Sequence, residues 1–235
     1  MNILALGAHP DDVEFLCAGT LFKYKQQGHK IYIALTTSGN IGSNLHKSRE
    51  EIALIREAEQ LAAAKLLDAQ VRFLRFDDEL LCDAPQTRKA ILDAMRWANP
   101  DVILTNPPFD PSTDHGITGT IVTRVILSMP SNLIPADEAP VPKKISVFYW
   151  DIPAGIGFLP EVYVDISEVL DRKLEALSKH LSQEAWIKQY DTGNTFGEYC
   201  TAMARFRGLQ AGCKYAEGFQ ALRILGYMPN FKLLP

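Results

Sequence analysis

His9-Pro10-Asp11-Asp12 sets one imidazole and two adjacent carboxylates in a single short turn. His9 and Asp12 stand three apart across that turn, so both can face one point. Histidine and carboxylate are zinc donors, and a catalytic zinc takes three protein ligands while keeping a place for water. The third ligand must come from elsewhere in the chain. His29 follows Gly28 at a helix end and reads as a surface residue. His46 sits in a polar loop, where solvent exposure is expected. His115 differs, because it closes the proline-rich loop Asn106 to His115 and opens a helix. With His9, Asp12 and His115 as ligands, Asp11 is left as a free carboxylate beside the metal, placed to act as general base. Asp114 either caps the helix starting near Gly116 or orients a neighbouring side chain in the site. The nitrogen and oxygen donors favour one Zn2+ per chain, although another divalent metal suits the same donors.

These residues need elements that bring distant turns together. Asn2 to Gly7 reads as a buried strand, and Val13 to Gln27 as the first helix, stopped by Gly28. Strands follow at Ile31 to Thr36, Val71 to Phe76 and Val102 to Thr105. Between and after them, helices are expected over Ser48 to Leu67, Gln86 to Ala98 and Ile117 to Ser128. This alternation predicts an α/β fold, a Rossmann-like, mostly parallel sheet flanked by helices. Turns at the C-terminal ends of such strands share one rim, which is how His9 and His115 meet.

Met129 to Lys144 holds four prolines and reads as an insertion or surface flap. A C-terminal extension of strands and helices follows: strands Ile145 to Trp150 and Glu161 to Ile166, then a helix Glu168 to His180 capped by Ser167. The stretch after His180 reads as irregular, with Trp186 and Tyr190 as pocket candidates. Gly197 to Leu209 reads as a last helix, and Ala216 to Leu225 as a closing segment of undefined type. Phe148-Tyr149-Trp150 is expected to be buried strand. No boundary divides the chain, so residues 1–235 are expected to form a single domain.

Composition narrows the function. With 47% hydrophobic residues, 22% charged residues and a net charge of −4, the chain has no basic cluster to bind nucleic acid. No apolar run is long enough to span a membrane, and the N-terminus reads as a strand, not a signal peptide. The four cysteines form no CxxC pair, which predicts free thiols and a cytoplasmic location. The turn after the first strand also lacks the glycines of a dinucleotide site, and its carboxylates would repel a pyrophosphate.

His9-Pro10-Asp11-Asp12 together with Asp114-His115 resembles the zinc-dependent PIG-L/LmbE-like N-acetylglucosamine deacetylases. Arg56-Glu57-Ala58-Glu59, Val162 to Ser167, His180-Leu181-Ser182-Gln183 and Tyr215 to Phe219 extend the resemblance over nearly the whole chain. It implies hydrolysis of an acetamido group on an N-acetylglucosamine-type sugar or glycoconjugate, with homo-oligomers common among such proteins. It also implies the metal ligands and base already named, with Arg56 and Asp78 on the substrate side. One departure stands out. Many members have His-x-Asp-His, whose first histidine supports the oxyanion and protonates the leaving amine. Here Ser112 occupies that place, as a substrate-contacting hydroxyl and a poor proton donor. The absent imidazole leaves the acid step, and Asp114's catalytic part as its orienter, without their family partner; the acid role then falls either to Asp11, serving as both base and acid, or to His180, which can hold a proton near neutral pH. The remaining readings are an amidohydrolase on a non-sugar N-acyl substrate and a non-catalytic binding protein.

Overall fold

A computed structural model describes residues 1–44, 48–190 and 193–235. His46 and the Tyr190 side chain lie outside the described part. Seven strands form one sheet: β1 Asn2–Gly7, β2 Lys30–Thr37, β3 Gln70–Phe76, β4 Val102–Thr105, β5 Ser146–Trp150, β6 Val162–Asp165 and β7 Ala216–Ala221. Their order is β3-β2-β1-β4-β5-β7-β6. The first five are parallel, and β7 enters antiparallel between β5 and β6. The expected mostly parallel sheet is therefore present, and the undefined closing segment supplies its reversed strand.

Eight α-helices are described: α1 Asp12–Leu16, α2 Ala18–Gln26, α3 Arg49–Leu67, α4 Pro85–Ala98, α5 Thr113–Val125, α6 Leu170–Leu177, α7 Leu181–Tyr190 and α8 Phe196–Ala211. Strand alternation sends side chains to two apolar layers. Ile3, Ala5, Phe148 and Trp150 join α1, α2 and α6 on one face, while Leu4, Leu6, Val147 and Tyr149 meet α4 and α5 on the other. The aromatic run in β5 is buried throughout, as its pattern predicts.

Four local differences from the sequence reading have physical causes. The expected first helix breaks at Cys17, where φ is −142°. Buried Glu217 accepts from Gly19 N and Thr20 N at 2.9 and 2.7 Å, so the second segment starts afresh on its own carboxylate cap. At Gly19 a Cβ would lie 2.7 Å from Ile166, which explains the glycine there. Ser167 does not cap α6, because its hydroxyl donates to Asp165 and accepts from Tyr215 N, tying β6 to β7. The segment after His180 is a helix, α7, with no strong apolar stripe to announce it. Residues 129–144 lack regular elements yet are anchored: Arg96 donates to the carbonyls of Ser128, Ser131 and Glu138, and Val141 and Met129 are buried.

Candidate active site

β1 and β4 are neighbours, and the chain leaves β1 in opposite directions across the sheet. That makes the rim between them the topological switch point, where open α/β sheets place their ligands. His9, Asp11 and Asp12 follow β1, Asp78 follows β3, and Asp114 and His115 lie in the first turn of α5 after β4. Close packing sets the position of α5. A Cβ on Gly119 would lie 2.2 Å from the Asn106 carbonyl oxygen, and Thr118 Oγ1 meets Thr36 Oγ1 at 2.9 Å.

Three donors converge here. His9 Nδ1 lies 3.2 Å from His115 Nε2, and Asp12 Oδ1 lies 3.2 Å from His115 Nε2 and 3.9 Å from His9 Nδ1. Bonds of about 2.0–2.1 Å to a tetrahedral zinc would separate its donors by about 3.3–3.4 Å. The triangle is therefore of the right size. The far side of each ligand is also fixed. Asp12 Oδ2 accepts from Ala8 N and His9 N at 2.9 and 3.0 Å, leaving Oδ1 toward the imidazoles. His115 Nδ1 pairs with Asp110 Oδ2 at 3.0 Å. His9 Nε2 faces Asp78 Oδ1 at 3.0 Å and Asp114 Oδ2 at 3.1 Å. Carboxylates on the outer nitrogens fix the tautomer and orientation of metal-binding histidines. His9, Asp12 and His115 fit a divalent cation on these grounds. His9, Asp78 and Asp114 form a second close group sharing the same imidazole.

Asp11 is the odd member of the turn. Its backbone φ of 106° lies in the left-handed region, which costs a non-glycine residue about 1–3 kcal/mol. Two residues one turn apart on α3 hold it there. Arg56 Nη2 donates to Pro10 O at 2.5 Å and approaches Asp11 Oδ1 at 3.4 Å. Gln60 Oε1 accepts from Asp11 N at 3.3 Å, and its Nε2 donates to Glu14 Oε1 at 2.8 Å. Glu14 Oε2 in turn faces His180 Nε2 at 3.2 Å. Gln60 and Glu14 are fully buried, and His180 is 1% exposed.

The electrostatics follow from this packing. Burial pushes the Asp11 carboxyl up to about 6, Arg56 opposing and the Asp12 charge adding. Burial resists a charge on His9, but Asp114, Asp78 and Asp12 outweigh it and push the imidazole up to about 9. His115 is likewise raised against its burial, chiefly by Asp12 and Asp110. Asp12 goes the other way: burial favours its acid form, and the His115 charge and hydrogen bond hold it below the usual carboxylate range.

The sequence-predicted residues fall into two groups. His9, Asp11, Asp12, Arg56, Asp78 and His115 all line one cavity of about 570 Å³. Asp114 is buried just behind His9, accepting from Glu79 N at 2.8 Å; Ser112, not Asp114, is the N-cap residue of α5. Arg56 is 3% exposed, with Nη1 donating to Gly39 O at 3.0 Å. Ser112 and His180 do not line the cavity. Ser112 N–H is bonded to Asp110, and the His180 imidazole points to Glu14 while lying near enough to Asp11 for each charge to act on the other. Trp186 does line the cavity, as expected. Asp110, Gln60 and Glu14 were missed by sequence reasoning. Only Asp110 had a local signal, a carboxylate in the proline-rich loop five residues before His115.

The pattern of the family described as GlcNAc-PI de-N-acetylase, PIG-L, matches residues 4–126, which contain both the His9 turn and His115. Diacetylchitobiose deacetylase of Thermococcus kodakarensis is 27% identical over 230 residues, covering 93% of this chain and 82% of that one. A probable N-acetyl-alpha-D-glucosaminyl L-malate deacetylase 2 of Bacillus cereus is 32% identical over 190 residues, covering 77% and 83%. The crystal structure of 4-carboxy-2-hydroxymuconate hydratase from Pseudomonas putida KT2440 shares the fold, with TM-score 0.82, 22% identity, and coverage of 95% of this chain and 97% of that one.

Proposed function

This chain belongs to the PIG-L family, and on that premise we propose that it removes the N-acetyl group from an N-acetylglucosamine-type sugar or glycoconjugate. One observation carries the reading: three donors set for a divalent cation share a cavity with a carboxylate, Asp11, that is bonded to none of them. A zinc ion held by His9, Asp12 and His115 would supply Lewis acidity, acidifying a water and polarising the acetamido carbonyl.

The chain's own residues do the rest. Asp11 takes the proton of the attacking water. A carboxyl pushed up to about 6 is a better base than an ordinary aspartate, and its acid form keeps the proton until the more basic amine takes it. Neither Ser112 nor His180 lines the cavity, and Asp11 makes the second transfer too, to the departing amine nitrogen. Arg56 keeps Asp11 in its strained conformation through Pro10. Asp78, Asp114 and Asp110 hold the two imidazoles in place. The products are acetate and a free amine.

The hydratase with the same fold shows that the fold does not choose the reaction. Acetate release does. Purified protein loaded with zinc is offered N-acetylated amino sugars, and acetate and primary amine are measured. The Asp11→Asn variant is expected to keep its metal and lose turnover. A zinc-loaded wild-type protein that frees no acetate from any acetamido compound contradicts the proposal.

A further inference from the structure

The cavity has two unlike halves. Its floor is polar and acidic, with Asp11, Asp12, Asp78 and Glu79 beside the two imidazoles. A second, largely apolar part of its lining comes from α1, α7, α8 and the loop after β2. Phe15, Ile41, Trp186, Phe196, Tyr199 and Met203 line it. The Phe15 and Phe196 rings stack at 5.0 Å with 17° between their planes, giving this wall a preformed aromatic base. Ile41, Trp186 and Tyr199 are 44%, 36% and 36% exposed, apolar area left open to solvent beside the reaction centre.

The charge on the lining limits what can sit there. Among the described residues lining the cavity, Arg56 is the only lysine or arginine. Its guanidinium is already given to the Pro10 and Gly39 carbonyls and to Asp11, and its Nε is buried. Away from the metal donors, a carboxylate or phosphate on the substrate would meet acidic side chains and, among the described lining residues, no unengaged lysine or arginine. The aliphatic side chains of Ile41 and Met203 likewise offer no partner for sugar hydroxyls, which would be desolvated without return. A cavity of about 570 Å³ is in the range of sites for drug-sized molecules, about 300–1,000 Å³, and exceeds what one sugar ring fills.

We propose that this wall is an aglycone subsite, and that the substrate is a neutral glycoside of N-acetylglucosamine whose aglycone is an alkyl or aryl group. The sugar lies over the acidic floor with its acetamido group at the metal donors, and the aglycone lies against Phe196, Tyr199 and Trp186. This rests on the deacetylase reading.

Acetate release from five probes tests it: the hexyl and the 4-nitrophenyl glycoside of N-acetylglucosamine, each in both anomers, free N-acetylglucosamine, diacetylchitobiose, and N-acetylglucosaminyl malate. In the preferred anomer, kcat/KM for the hexyl or nitrophenyl glycoside should exceed that for each other probe by about tenfold or more, as expected when one apolar group is buried. Tyr199→Ala and Trp186→Ala change partly exposed residues. Each should lower the ratio of hexyl glycoside to free sugar severalfold, chiefly through KM. A ratio at or below one, equal turnover of diacetylchitobiose or the malate, or a ratio unmoved in both variants overturns the subsite while leaving the deacetylase reading in place. No acetate from any probe overturns that reading, and the subsite with it.

Discussion

Replacing Gln60 with leucine separates the positioning of Asp11 from metal binding. Gln60 makes two buried bonds, accepting from Asp11 N and donating to the Glu14 carboxylate. Leucine fills similar space and makes neither. Losing a bond to a buried carboxylate costs about 1.5–3 kcal/mol, and the longer amide bond adds about 0.5–1. The variant should therefore be about 2–4 kcal/mol less stable, which a typical margin of about 5–15 kcal/mol survives. Catalysis should suffer by a different route. With φ at 106°, Asp11 stores about 1–3 kcal/mol of strain, and Gln60 is one of its two restraints. If the turn relaxes, re-forming the reactive conformer costs that amount, so kcat falls roughly 5- to 150-fold. No metal ligand is bonded to Gln60, so zinc content should stay at one per chain. The assay is kcat for acetate release on samples whose zinc is measured in parallel, with a urea melt to confirm folding. A folded, zinc-replete Gln60→Leu protein with wild-type kcat would refute the positioning argument.

Other outcomes follow from the same contacts. Asp110→Asn leaves His115 Nδ1 without its carboxylate and should weaken zinc binding about 10- to 100-fold, read by chelator competition. In chelator-treated protein His9 is raised to about 9 by Asp114 and Asp78 against its burial, whereas a metal needs the neutral ring. Zinc binding at pH 7 should then release protons, seen by calorimetry in buffers of different ionisation heat, and affinity should rise with pH toward about 9. The sign for stability is opposite: without metal, the charged His9 stabilises the fold fully below about 6.5, and the benefit is lost as pH rises through about 9. Glu217→Ala strips the cap from α2 and leaves the buried Lys173 ammonium unpaired, so a loss of about 3–5 kcal/mol is expected in urea unfolding.

How much of this was legible in the sequence depended on the range of the interactions. The His9 turn and the Asp114-His115 pair could be placed on one rim because strand and helix alternate regularly up to α5 and a parallel sheet puts such turns together. Arg56 was legible as a residue of the site but not in its task, since its bonds run to Pro10 and Gly39 rather than along its own helix. His180 was one of two candidates for the acid, and nothing near it in sequence reveals Glu14, its partner 166 residues away. Asp114 had both a capping and an orienting reading, and only the position of His9 decided between them. The apolar wall was mostly hidden, because α7 carries no clear apolar period and its neighbours Phe15 and Phe196 meet only after α8 packs back on α1. Trp186 alone was visible there. The break at Cys17 was not, since the capping carboxylate of Glu217 arrives from the last strand.

The central claim is that His9, Asp12 and His115 hold a cation while Asp11 moves the protons. The most direct measurement is zinc stoichiometry and acetate release, side by side, in wild type, His115→Ala and Asp11→Asn. The account predicts one zinc and turnover in wild type, loss of both in His115→Ala, and one zinc without turnover in Asp11→Asn. Full turnover in Asp11→Asn, or a zinc retained undiminished in His115→Ala, would contradict it.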